Sequence, residues 1–211
     1  FFLMPHMTEM KQTDIRTEFG AFKNSQVWFT VIMGVVGFGG MFSVYTYISW
    51  TMTEVAGMDQ SLIWVVLMAY GIGMTIGNAF GGWLADRNLE FGIIFALACL
   101  IVILTAFYFL SGHAIPATLC FGCVAFMGST LVPSLQLRLV HVAGDAQTLA
   151  AALNQSALNI ANAAGATIGG AVVGAGLGYS APALAGAALA AAGCLVWAAT
   201  MWDKKRLARR A

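Results

Sequence analysis

The stretch YGIGMTIGNAFGGWLADRN, residues 70–88, contains the pattern on which the rest of the chain is built. Gly73, Gly77 and Gly81 recur every four residues, which places them on one helix face and predicts close approach of a second helix backbone. The apolar segment ends in a short turn with one Asp-Arg pair, and a new apolar run begins at Phe91. The stretch therefore indicates an apolar span, a tight turn and another apolar span.

Composition predicts the class of protein. Hydrophobic residues make up 60% and charged residues 9% of the 211 residues, and the mean hydropathy is +0.81. A soluble domain of this length needs far more charge to cover its surface. Several apolar runs exceed the length of about 18 residues that indicates a membrane span. We therefore expect an integral membrane protein whose partner is the lipid bilayer, and the net charge of +1 gives no indication of nucleic-acid binding.

The apolar runs divide the chain into a membrane bundle and two flanking segments. Residues 1–25 are predicted to form a charged cytoplasmic linker, residues 26–201 a bundle of six transmembrane helices, and residues 202–211 a basic cytoplasmic tail. The predicted spans cover residues 26–51, 61–85, 91–110, 114–137, 148–174 and 183–201. Residues 1–5 are apolar and lack an initiator Met, so we expect the chain to be a fragment or a half of a longer protein.

All ten basic residues fall on one side of this arrangement. They lie in the first segment, in the turns between spans two and three and between spans four and five, and in the tail: Lys11, Arg16, Lys23, Arg87, Arg138, Lys204, Lys205, Arg206, Arg209 and Arg210. The three loops on the other side contain neither Lys nor Arg. The positive-inside rule therefore predicts that both termini are cytoplasmic.

The predicted spans contain several neutral amides. We expect no charge in mid-span, because a charged side chain costs about 2.5–3.5 kcal/mol at the bilayer centre. Gln155, Asn159 and Asn162 have the spacing i, i+4, i+7 and therefore share one helix face. Unsatisfied amides are costly in lipid. This face is predicted either to form hydrogen bonds with other helices or to line a wet cavity that contacts substrate.

The residues GWLADR at 82–87 resemble the core of the loop signature of the major facilitator superfamily, G-x-L-a-D-r. That signature continues G-R-K, whereas Leu89 and Glu90 follow Asn88 here. The segments GFGGMFSVYTYI (37–48), TEVAG (53–57) and LNQSALNIANAAGATIGG (153–170) resemble the bacterial drug–proton antiporter and sugar-efflux branch.

The resemblance implies an all-α membrane protein, the C-terminal half of such a transporter in the bacterial inner membrane. Its six helices would form two inverted three-helix repeats, and an N-terminal half of six further helices would be absent from this sequence. The substrate path would lie between the two halves near the membrane midplane. The implied partners are a drug-like or sugar-like small molecule and protons.

The resemblance also implies roles for individual residues. Candidates for the substrate cavity are Phe38, Phe42, Tyr45, Tyr47, Ser129, Thr130, Gln136, Asn154, Asn159 and Asn162. Trp50 either offers an aromatic face to substrate or anchors the membrane interface. Helix packing is assigned to Gly73, Gly77, Gly81, Gly165, Gly169 and Gly170.

Gly82, Asp86 and Arg87 are the candidates for gating and conformational change. In the family the aspartate of this motif braces the two halves, but Asp86 is equally placed to cap the N-terminus of the third span. Arg87 is either a gate partner or an anchor that fixes the topology.

No catalytic, metal or cofactor site is predicted. Cys120 and Cys123 lie inside an apolar span without a second pair, and Cys99 and Cys194 are also in spans. No nucleotide-binding motif is present. We therefore expect a proton-coupled efflux transporter, not an enzyme, whose proton-carrying carboxylate lies in the other half. The alternative is a truncated bundle that transports nothing alone, or one that acts only when paired with another half.

Overall fold

The structure, a computed structural model, describes residues 20–208 and, of these, the side chains up to residue 206. Most of the predicted linker, residues 1–19, lies outside the described residues. The described part is helical and contains no strand. Its long helices are α1 (Ser25–Trp50), an element Ile63–Leu110 that divides into α2 (residues 63–87) and α3 (residues 89–110), α4 (Ala114–Ala143), α5 (Gln147–Gly174) and α6 (Pro182–Ala208). Short helical turns lie at Ala21–Lys23, Thr51–Val55 and Gln60–Leu62.

Five helical elements of the described chain are long and apolar enough to cross a membrane. The longest, Gln60–Leu110, has 51 residues and would measure about 75 Å as a straight rod. That is more than twice the hydrocarbon thickness of about 30 Å. The element is interrupted at Asn88, whose φ of −157° and ψ of 92° are not helical.

Asn88 also caps the helix that follows it. Its Oδ1 accepts a hydrogen bond from the backbone N–H of Phe91 at 3.1 Å, as expected of an N-cap residue. The alternative in which Asp86 caps this helix is therefore wrong, because Asp86 lies in the last turn of α2. The polar turn predicted over residues 86–90 is reduced to one non-helical residue.

Glycine contacts show that α2 runs parallel to α4. A Cβ atom built on any of three α2 glycines would lie 2.2–2.5 Å from a backbone oxygen of α4. The pairs are Gly73 with Gly122, Gly77 with Phe126 and Gly81 with Thr130. Residue numbers rise together along both helices, so the helices are parallel and their backbones touch. Such close approach is the main source of helix association in lipid, where apolar burial gives no driving force.

By the same reasoning α3 is antiparallel to α4. The Cys120 thiol donates to the backbone oxygen of Ile103 at 3.4 Å, and a Cβ on Gly92 would lie 3.7 Å from the Ser134 hydroxyl. Here residue numbers rise along one helix as they fall along the other. The chain therefore reverses its direction at Asn88.

Helix α1 packs against α5 and α6 through glycine contacts of the same kind. A Cβ on Gly165 of α5 would lie 2.5 Å from the backbone oxygen of Gly39, and one on Gly186 of α6 would lie 2.5 Å from that of Gly40. Further along α5, the ring of Tyr47 covers Gly169, where a Cβ would lie 2.8 Å from the ring. The small residues of α5 and α6 therefore let α1 lie between them.

Two helices extend beyond their predicted ends. Helix α4 ends at Ala143 instead of residue 137, and α6 continues to Ala208 instead of ending at residue 201. The predicted ends were placed where apolar residues give way to charges. In the structure Arg138 continues α4, and Asp203 and Lys204 continue α6, because their side chains have polar partners at the end of the bundle.

The most buried of these charges is Arg138, which is 1% exposed. It lies inside α4, so the prediction that it begins a polar turn is wrong. Its guanidinium forms an ion pair with Glu90 of α3. It also donates from Nε to the Thr30 hydroxyl at 3.0 Å and from Nη2 to Gln26 Oε1 at 3.3 Å, both on α1.

Helix α6 completes this group of side chains. Lys204 Nζ and Trp197 Nε1 donate to the Glu90 carboxylate at 2.6 and 3.1 Å. Asp203 accepts from Gln26 Nε2 at 2.7 Å. We call this group the basic-end cluster, and the end of the bundle that contains it the basic end; its members are Gln26, Thr30, Glu90, Arg138, Trp197, Asp203 and Lys204. Four helices, α1, α3, α4 and α6, are joined here.

The glycine contact between α2 and α4 can be tested with Gly77→Ala. The added methyl group has no space, because its position is 2.2 Å from the Phe126 oxygen. We expect a loss of about 1–3 kcal/mol in unfolding free energy, as for other overpacked sites. The measurement is thermal or denaturant unfolding of the purified protein in detergent. The matched control is Gly82→Ala, where nothing lies within 4 Å of the new methyl group. Equal stability of the two variants would contradict the contact.

The basic-end cluster can be tested with Glu90→Gln. This change leaves the Arg138 guanidinium buried without a compensating charge, which costs about 3–5 kcal/mol at buried pairs. The comparison variant is Lys204→Gln, which removes the other cation on the same carboxylate. Lys204 is 41% exposed, so we expect a loss of about 1 kcal/mol or less. Unfolding curves that show the same loss for both variants would mean that burial of Arg138 does not depend on Glu90.

Candidate functional site

Helix α5 presents an exposed face of amides. Gln155, Asn159 and Asn162 are all exposed, and no other described residue forms a hydrogen bond with their side chains. The hydroxyl of Thr167, also on the exposed side, bonds back to the Ala163 oxygen of its own helix at 2.8 Å. Three unpartnered amides on one face of a membrane helix would be unfavourable against lipid. This face is therefore suited to contact with water, a ligand or another polar helix.

The predicted cavity residues of α1 separate into different environments. Phe38 is fully buried in the hydrophobic core and does not lie on the surface of this bundle. It lies on the side of α1 that packs between neighbouring helices. Phe42 is half-buried and packs against the same core. The Tyr47 hydroxyl donates to the Ala166 oxygen at 3.1 Å and so helps to hold α1 against α5.

The predicted polar residues of α4 and α5 also differ in exposure. Ser129 and Thr130 are fully buried, and Thr130 donates to backbone oxygens of Gly77 and Phe126. Asn154 is 5% exposed and donates to the exposed Gln136 amide at 3.5 Å. Of this set, Gln136 and the amide face of α5 are on the surface of the bundle, while the hydroxyls are inside it.

Tyr45 is the exposed aromatic of the predicted set, with 41% of its surface accessible. Its ring lies 4.9 Å from that of Tyr70, and Tyr70 stacks on Phe121 at 4.8 Å between centroids. Tyr70 was not among the predicted site residues. The signal that could have identified it is a lone phenol within an otherwise apolar and glycine-rich span.

A groove of about 670 Å³ lies at the end of the bundle opposite the basic end. Its lining includes Ser49, Trp50, Thr53, Glu54 and Gln60. Trp50 is 51% exposed and its ring is nearly parallel to that of Tyr179 at 6.5 Å. This position at a helix end is compatible with both roles predicted for Trp50.

The loop beside the groove carries Asp59, which lies outside the spans. The hydroxyl and the backbone N–H of Ser61 hold the pKa of this carboxyl below its usual range, and the backbone N–H lies 2.8 Å from Oδ1. Asp59 is therefore ionised at neutral pH. Among the described residues, this end of the bundle carries Glu54 and Asp59 and no Lys or Arg.

The predicted gating residues lie at the basic end. Asp86 and Arg87 are both exposed, and the Arg87 guanidinium lies 4.0 Å from the centre of the Trp83 ring, a cation–π contact. A Cβ on Gly82 would meet nothing within 4 Å, so this glycine is not required for packing within the bundle. Nothing within the described chain covers this surface.

Reasoning from sequence missed the pairing of Glu90 with Arg138. In the sequence, Glu90 is a departure from the basic end of the loop signature, and Arg138 is a residue that indicates topology. A usable signal was present, since one acid and one base stand in adjacent loops on the same predicted side. Their partners on α1 and α6 could not be identified without the packing of the helices.

Comparison with known proteins gives the family. The Major Facilitator Superfamily matches residues 30–211. The inner membrane transport protein YdhP of Escherichia coli K12 is 34% identical over 85% of this chain and 46% of its own length. The uncharacterized MFS-type transporter YfhI of Bacillus subtilis is 35% identical over 86% and 46%. A chloramphenicol resistance protein of Streptomyces lividans is 28% identical over 86% and 46%.

The chain spans about half the length of these curated relatives. The matched residues include all of the long helices described above except the first turn of α1. Three observations indicate the same class of protein. They are helical elements long enough to cross a membrane, close glycine contacts between helices, and the family match over most of the sequence. The chain is a multi-pass membrane protein that belongs to the major facilitator superfamily of small-molecule transporters.

Proposed function

We propose that this chain is the C-terminal six-helix half of a secondary transporter that exports small drug-like or sugar-like molecules across the bacterial inner membrane in exchange for protons. The observation that carries the proposal is the row of unpartnered amides on the exposed face of α5. Membership of the family supports transport, and the relative named for chloramphenicol resistance supports export of a drug-like molecule. The function is performed together with a second half that covers this face.

The contacts support two inverted repeats, α1–α3 and α4–α6, with α2 and α3 counted as separate spans. In such an arrangement α1 corresponds to α4, and α2 to α5. The parallel pair α1–α5 then corresponds to the parallel pair α4–α2, and both pairs have glycine contacts. The antiparallel pairs α1–α6 and α4–α3 correspond in the same way. The packing is thus unchanged when the two repeats are exchanged.

The distribution of charge supports an orientation with both ends in the cytoplasm. Every described Lys and Arg lies at the basic end, which the positive-inside rule assigns to the cytoplasmic side: Lys23, Arg87, Arg138, Lys204, Lys205 and Arg206. The groove beside Glu54 then opens on the periplasmic side. The described spans carry no carboxylate or imidazole away from their ends. The group that carries the proton therefore belongs to the other half.

The second candidate is a bundle that transports nothing alone, or that acts only with a different half. The observation that favours it is the coverage of about half of each relative. The two candidates differ in one measurement. If the chain belongs to an exporter, energised cells that carry the full coding region export probe molecules. If it is a bundle that transports nothing, cells with and without that region retain the same amount of probe.

The role of the amide face is tested with Asn159→Leu in the full-length protein. Loss of one hydrogen bond to substrate lowers export by about tenfold, since a hydrogen bond contributes on the order of 1 kcal/mol or more when its loss leaves a polar group unpaired. Export of chloramphenicol and of isopropyl thiogalactoside is measured in everted vesicles with an imposed proton gradient. The matched control is Ile160→Leu, the next residue along and also exposed. Unchanged export by Asn159→Leu at normal membrane levels assigns the amide to packing.

The role of Asp86 is tested with Asp86→Asn. Because Asp86 is exposed at the basic end, we expect the change to slow turnover by about tenfold or more while ligand affinity stays within about twofold, as for a residue that stabilises one conformation of the cycle. Binding is measured on the purified protein and turnover in vesicles. Asp145→Asn, another exposed carboxylate at this end, serves as the control. Equal turnover of wild type and Asp86→Asn would remove the gating role.

A further inference from the structure

The ring of Tyr70 contacts aromatic rings of two other helices. Tyr70 is 7% exposed, with Tyr45 of α1 at 4.9 Å and Phe121 of α4 at 4.8 Å between ring centroids. Phe107 of α3 in turn lies 6.2 Å from Phe121. Four helices thus contribute to one aromatic cluster, in which Tyr45 is the exposed member and Phe107 and Phe121 are buried. The orientation of the Tyr70 phenol is therefore fixed by packing.

The hydroxyl of Tyr70 has no hydrogen-bond partner among the described residues. A buried tyrosine usually places its hydroxyl against a partner, because an unpaired polar group is unfavourable in apolar surroundings. The Tyr70 hydroxyl is not fully buried, so part of it stays accessible from outside the bundle. The hydroxyl is thus a donor that is positioned rigidly and left unused by the bundle itself.

The depth of Tyr70 argues against an anchor at the membrane interface. It lies seven residues after the start of α2 at Ile63, which corresponds to about 10 Å along the helix axis. Tyrosines of the interfacial belt lie at the level of the lipid headgroups, not at this depth. Tyr45 lies at the same level because the two rings are in contact.

The groove at the end opposite the basic end lies near this pair of tyrosines. Tyr45 and Ser49 are four residues apart and therefore share a face of α1. In the helical turn that follows α1, the Thr53 hydroxyl donates to the backbone oxygen of Ser49 at 3.0 Å. Ser49 and Thr53 line the groove of about 670 Å³. Tyr45 is thus one turn of α1 away from the groove, and Tyr70 lies beside Tyr45.

We propose that Tyr45 and Tyr70 form a subsite that binds an uncharged molecule through hydrogen bonds to both hydroxyls and stacking on the exposed Tyr45 ring. The subsite rests on the proposed function, because it lies on the path of an exported substrate. The ligand is uncharged because charged side chains of the described chain lie only towards the ends of the helices, whereas the middle carries hydroxyls and amides. An ionised group at this depth would have no counter-charge within this half.

The test compares Tyr70→Phe with Tyr108→Phe in the full-length protein. Both changes remove one phenolic oxygen, but Tyr108 contacts Phe109 edge-on and lies away from the pair. The probes are chloramphenicol, which is neutral, aromatic and carries hydroxyls, and tetraphenylphosphonium, which is aromatic, cationic and has no hydrogen-bonding group. We expect Tyr70→Phe to raise the KM for chloramphenicol by about tenfold with kcat within about twofold, and Tyr108→Phe to leave both unchanged. Thermal unfolding of both variants stays at the wild-type temperature.

The outcomes separate the subsite from the proposed function. If the wild type exports chloramphenicol and Tyr70→Phe has the same KM, the proposed subsite is wrong and the proposed function is not affected. If the wild type exports tetraphenylphosphonium but not chloramphenicol, the proposal that the ligand is uncharged is wrong. A second variant, Tyr45→Phe, keeps the stacking ring and removes its hydroxyl, so it raises the KM less than Tyr45→Ala. Absence of export by the wild-type protein counts against the function itself.

Discussion

The guanidinium of Arg138 constrains how four helices meet at the basic end. A buried cation is tolerated only where oxygens surround it, and here they come from Glu90 of α3 and from Gln26 and Thr30 of α1. Glu90 is fixed in turn by Lys204 and Trp197 of α6. A shift of α3 against α4 or α6 by a hydrogen-bond length at this end would break an ion pair of Glu90. The cluster therefore sets the relative register of α1, α3, α4 and α6.

Away from this end the helices are held by backbone contact. Glycines let α2 approach α4, and let α1 approach α5 and α6, to distances at which a methyl group has no space. Contacts of this kind do not adjust gradually, because the glycine surface has no side chain that can change rotamer. A bundle fixed by charge at one end and by backbone contact along its length is suited to move as one body, which a rocking mechanism requires.

The sequence predicts the apolar spans well, because hydropathy and the four-residue glycine period are local signals. It predicts helix ends less well, because a charge at a helix end looks the same whether it faces water or a partner. Arg138 illustrates the difference: its burial depends on four helices that are distant in sequence. The cap at Asn88 is not predicted for a simpler reason. Asp and Asn are both good N-cap residues, so Asp86 and Asn88 are both candidates, and only the backbone angles decide between them. Tyr70 could not be separated from ordinary core aromatics without the position of Tyr45.

The polar side chains inside the spans fall into two groups that differ in whether the bundle itself uses them. Ser43, Thr130 and Asn154 each donate to a group on another helix and so contribute to the packing. The amides at 155, 159 and 162 and the hydroxyl of Tyr70 have no such partner among the described residues. In lipid the second group would be unfavourable, so its persistence requires something outside the bundle to satisfy it. The amide face suits contact with a second half, whereas the Tyr70 hydroxyl, held by ring contacts beside the exposed Tyr45, suits a ligand that comes and goes.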